Sequence, residues 1–153
     1  MSAPRRALGF GWPVLVLLAA LAAPRVVLHD LGVVEEGTLV NGLLVVVPPA
    51  CWIAAVVWRR PRRPFLTVVV IGALYGVLLA AGHQLLWDAA FPGGPPTVGR
   101  LDPATGAAVL RTAAAVSSLV TGTLVGVVAG AVALLLTRLV RTELEADRPA
   151  PSS

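Results

Sequence analysis

Four long apolar runs, separated by short polar or proline-rich segments, dominate the chain. Residues 39–58 and 65–87 contain no Asp, Glu, Lys or Arg. Each is long enough to cross a bilayer core of about 30 Å, which takes about 20 helical residues. A first run covers 8–28 and a last one 107–140, so the pattern predicts an all-α integral membrane protein with four transmembrane helices. These form a single domain over 1–141, followed by a short polar tail at 142–153 expected to be disordered. The first run has a second reading. Arg5 and Arg6, an apolar stretch and the small residues around Ala20 and Ala22 resemble a secretory signal with its cleavage site. The retained helix is preferred because three spans follow it, and Arg25 near its outer end is then expected to reach toward the headgroups.

Inside the spans the spacing of small residues carries the next prediction. Gly72, Gly76, Ala80, His83 and Trp87 recur every three or four positions and so share one helical face. In the last span Ala114, Ser118, Gly122, Gly126 and Gly130 recur at every fourth position. Small-residue stripes let helix backbones approach closely, so these are expected to form a seam within the bundle or across a homodimer. Ser117, Thr121 and Thr123 are read as hydrogen-bonding glue. The second span carries Pro48 and Pro49 near its middle, where each proline removes a donor and crowds the carbonyl four residues back. A kink is expected there, with the freed carbonyls of Leu44 and Val45 facing neighbouring helices or a cavity.

Charge then orients the layout. The knot formed by Arg59, Arg60, Pro61, Arg62, Arg63 and Pro64 lies between the second and third spans. Short arginine-rich loops stay cytoplasmic during insertion. With this knot inside, nine of the 12 basic residues are cytoplasmic and only Arg25, Arg100 and Arg111 are outside. Both termini are then cytoplasmic, and the expected location is the cell membrane, as a multi-pass protein. The 57% hydrophobic content excludes a soluble single-core domain, and the net charge of +4 reflects loop arginines. Those arginines are expected to meet anionic lipid, not nucleic acid. All basic residues are Arg and none is Lys, a composition that matches GC-rich bacterial coding. The lone Cys51 excludes an intrachain disulfide.

Candidate chemistry is confined to the outer ends of the spans. Counting about 1.5 Å of rise per residue from the inner ends places His29 and His83 at a similar height. Asp30, Asn41, Gln84, Asp88 and Arg111 fall near the same level. The blander reading makes these ordinary interfacial residues. The sharper one makes them an outward-facing polar pocket, with His29 and His83 as proton-titrating or metal-binding groups and Asp30, Asp88 or Glu35 as the carboxylate. No cofactor or metal is assigned. Sequence signatures of zinc hydrolases, nucleophile elbows and phosphate loops are absent, and Ser117 and Ser118 should lie well inward of His83, so no enzyme is expected.

In size and four-span layout the chain resembles the small multidrug-resistance exporters and the small four-helix proteins of lipid-linked sugar translocation. The exporters depend on a glutamate within their first helix, whereas residues 7–23 here contain no acid. The expected role is an accessory or structural membrane subunit, because no charge lies at mid-membrane. The alternative is a small transporter or permeation protein with the outward polar pocket.

Overall fold

In the computed structural model, residues 7–35 and 37–146 are described. Arg5, Arg6, Glu36, Arg148 and the rest of the tail from 147 lie outside them. The elements are α1 (Trp12–Ala20), α2 (Ala23–Asp30), α3 (Leu39–Arg59), α4 (Pro64–Leu85), α5 (Trp87–Ala90) and α6 (Pro103–Ala146). No strand occurs among the described residues. Four helical stretches, Trp12–Asp30, Leu39–Arg59, Pro64–Leu85 and Pro103–Glu143, are long and apolar enough to cross a membrane.

Three predicted spans change at their edges, each for a local reason. The first is two helices rather than one, interrupted at Leu21 and Ala22. Pro24 has no N–H to give the Ala20 carbonyl and its ring crowds that carbonyl, so the first helix stops there. The interruption also loosens the Leu18 carbonyl, which accepts a hydrogen bond from the buried Trp52 indole at 2.6 Å. The third span ends at Leu85 and resumes as the single turn of α5, which carries Trp87. The fourth is longer than 107–140, running 44 residues from Pro103 to Ala146. Asp102 starts it by accepting from the Thr105 amide at 3.0 Å. Residues 142–146, read as tail, are therefore helical.

The seam between α4 and α6 is the largest helix contact in the fold. Its register is antiparallel and pairs small residue with small residue. Gly76 lies against Ser118 and Leu119, Gly72 against Gly122 and Gly126, and Gly130 against Phe65. A Cβ added at Gly72 would come to 2.5 Å from the Gly126 Cα, backbone that has nowhere to go. The stripes are used here within one chain.

On one side of the seam pack α1 and α3, through the fully buried Leu15, Trp52, Val56, Val68 and Ile71. α3 runs as a continuous helix through Pro48 and Pro49, with Pro48 buried. The arginine knot closes one end of the bundle. Arg60 adopts a left-handed φ of 48° that ends α3, and Pro64 opens α4. Gly9 sits at φ +71°, and a Cβ there would lie 2.7 Å from the Pro61 side chain. Thr67, buried, donates its hydroxyl toward Leu8 and Arg63 carbonyls at 3.1 and 2.9 Å. The chain start is thereby pinned under the knot. α6 continues past it: Gly130 meets Phe65, so residues 131–146 add about 24 Å of helix beyond that level.

Candidate ligand-binding cleft

At the end away from the arginine knot the same helices stand apart. Above Gly76, α4 presents Leu79, His83 and, through α5, Trp87, while α6 presents Leu110, Ala113, Ala114, Ser117 and Ser118. Bulky side chains facing small ones hold a gap open. α2 and the turn-rich segment after α5 complete the walls, with Arg25, His29, Asp30, Phe91 and Pro92. The resulting cleft measures about 1010 Å³, at the upper end of the range usual for small-molecule sites.

Its polar centre is Asp30. The carboxylate is only 5% exposed, a position that requires partners. His83 Nδ1 lies 2.7 Å from one oxygen and His29 Nδ1 3.4 Å from the other. The break at Pro24 lets α2 carry His29 and Asp30 over α4, and residues 53 positions apart in sequence meet. Both imidazoles spend Nδ1 on the same carboxylate. No group of three or more His, Cys, Asp or Glu arranged to hold a metal ion is found among the described residues.

The seven residues expected in one pocket divide into three groups. His29, Asp30 and His83 line the cleft. Gln84, Asp88 and Arg111 form a clamp that fastens α4 to α6. There Gln84 Nε2 donates to the Arg111 carbonyl at 2.9 Å, and Arg111 stacks on Trp87 with 4.8 Å to the ring centroid. Asp88 is 3.7 Å from Arg111 but 99% exposed, so this ion pair contributes little. Asn41 belongs to neither, because its Oδ1 accepts from Arg25 Nε at 3.1 Å. Glu35, offered as a further carboxylate, accepts through its backbone carbonyl from the Thr38 hydroxyl.

A second, smaller cavity of about 160 Å³ lies deeper, walled by Ala22, Leu44, Val45, Pro49, Trp52, Tyr75 and Val125. Leu44 and Val45 are the residues whose carbonyls the two prolines leave without a helical donor, and both line this cavity with Pro49. Arg25 and Thr121 line both spaces. Arg25, expected to reach toward the headgroups, is part of the wall of both cavities, a role not expected from the sequence. The available signal was its lack of any acid at helical spacing, since Leu21, Ala22, Leu28 and His29 flank it at three and four positions. Ser118 lies level with Gly76 on the seam, placing His83 about 10 Å outward of it by helical rise. The Ser118 hydroxyl instead donates to the Ala114 carbonyl at 2.7 Å.

Comparison with known proteins finds no matching family model, no matching curated protein and no matching solved structure.

Proposed function

We propose that the protein is a small transport or permeation protein of the cell membrane that takes its ligand into the outer cleft. The observation that carries this reading is the stacking of two cavities along one path, joined at Arg25 and Thr121 and reaching Pro49 of α3. An apolar-walled cleft with a few convergent polar groups is the usual form of a small-molecule site. An ionisable cluster within or at the end of spanning helices marks ligand or proton pathways more often than packing. Proline-interrupted helices beside a cavity are the common construction of transporter sites, and the break between α1 and α2 at Pro24 is such an interruption.

Orientation belongs to the same proposal. The end that carries Arg59, Arg60, Arg62, Arg63, Arg138 and Arg141 is cytoplasmic, and the cleft opens to the outside. Both termini then lie in the cytoplasm, anionic lipid lies beneath the knot, and no catalytic step is assigned.

The test is native mass spectrometry of the protein extracted gently from its host membrane, alongside the Ser117→Trp variant, whose indole fills the cleft from an exposed wall position. A small molecule bound to the parent protein and missing from the variant is the expected result. A stoichiometric second protein, with the cleft empty in both, would overturn the transport reading in favour of an accessory membrane subunit.

A further inference from the structure

The two cavities meet at one charged side chain whose partners are all dipoles. Arg25 donates to Asn41 and faces the Tyr75 hydroxyl. Among the described residues no carboxylate comes within ion-pair distance of it. Asp30, the acid of the cleft, is already taken by His83 and His29. Tyr75 stands about 15 Å above Phe65 by helical rise, half the thickness of a bilayer core. Arg25 therefore turns a cation into the outer half of the span. Such a charge is retained where it meets a partner or a wet cavity.

A guanidinium has five N–H donors in a planar fork and matches carboxylate or phosphate oxygens two at a time. Asn41 uses Nε and the Tyr75 hydroxyl one further N–H, which leaves the remaining donors of the fork to the cavities. Ala22, the cap of α2, lines the inner cavity beside Arg25, so the positive end of that helix dipole adds to the same field. The remaining inner walls are hydrocarbon or aromatic: Leu44, Val45, Pro49, Trp52 and Val125. Thr121, on the shared wall, is exposed, so the junction of the two cavities is open at this residue.

We infer that Arg25 binds the acid group of an anionic amphiphile, a carboxylate or phosphate carrying an alkyl chain. The chain enters the inner cavity and the remainder of the head occupies the outer cleft. This inference rests on the cleft being a ligand site and names the class of ligand.

Trp52 and Trp87 line the two spaces, so tryptophan fluorescence reports binding in phosphatidylcholine nanodiscs. The probes are dodecyl phosphate, dodecanoate, dodecyltrimethylammonium and inorganic phosphate. Both dodecyl anions should bind, the cationic probe and inorganic phosphate should not, and Arg25→Gln should weaken the anions about tenfold or more. Arg25→Lys should recover part of the loss. Phosphatidylglycerol in the nanodisc should compete if the ligand comes from the bilayer, whereas competition by dodecanoate added from water alone marks a soluble source. Equal binding of the cationic probe overturns the inference without requiring any variant to fold, and equal binding of inorganic phosphate removes the alkyl chain from it. Binding lost in Ser117→Trp but unchanged in Arg25→Gln leaves the cleft and rejects Arg25. No binding of any probe, with the cleft-filling variant indistinguishable, rejects both.

Discussion

The knot-end and cleft-end halves of the α4–α6 pair are built from the same two helices and behave in opposite ways. On the arginine-knot side of Gly76 both helices offer small residues in register, and backbone meets backbone at Gly72, Gly122 and Gly126. Beyond it α4 turns to Leu79 and His83, and α5 adds Trp87, while α6 remains small at Ala113, Ala114 and Ser117, and a cleft opens. Close packing in a membrane needs small residues on both faces. One stripe alone leaves space, and here the space receives the polar groups.

The largest effect should come from closing that difference at the seam. Gly122→Leu drives a side chain into the Gly76 backbone, which cannot yield as a flexible side chain would. It is expected to lose about 3 kcal/mol or more, read as a lowered Tm or failure to extract as a single species. Gly42→Ala is the control, because nothing lies within 4 Å of a Cβ there. It should be neutral or stabilise by up to about 1 kcal/mol.

A smaller effect is expected at the outer end. His83→Ala strips the short hydrogen bond from a carboxylate that is almost wholly buried, and should lower stability by about 1–3 kcal/mol. Asp88→Asn removes an acid at the same height that solvent already surrounds, and its melting curve should overlay the parent's. Equal effects of the two would show that height alone, rather than the cleft, governs these groups.

The smallest effect lies at the start of α6, outside the apolar span. Hydrogen bonds from Thr105, side chain and then amide, hold the Asp102 carboxyl below its ordinary range. A depressed carboxyl stabilises the folded state above its unfolded pKa, and that contribution is lost as pH falls through the lower folded value. Amide-exchange protection at Thr105 and Gly106, relative to the intrinsic rate at each pH, should therefore fall only at acid pH, with the cleft and the seam unaffected.

What could be read from residues alone was whatever depends on local spacing. Uninterrupted apolar length marks four spans because a bilayer demands it, and a four-residue period puts Gly122, Gly126 and Gly130 on one face whatever surrounds them. The counting of rise brought His29 and His83 to one height. It could not separate Gln84, Asp88 and Arg111, on the far side of Trp87, from the cleft, because height does not specify direction around the bundle. The break at Leu21 had its cause in Pro24, yet helix continued through Pro48 and Pro49 in α3. The same residue type gives both outcomes, according to what the neighbouring helices supply.

Tertiary structure alone decided the pairings across long separations: Asp30 with His83, Arg25 with Asn41, Trp52 with the Leu18 carbonyl. Each depends on how one helix is placed and turned against another. That placement is set by the sum of many packing contacts, which no single stretch of chain contains.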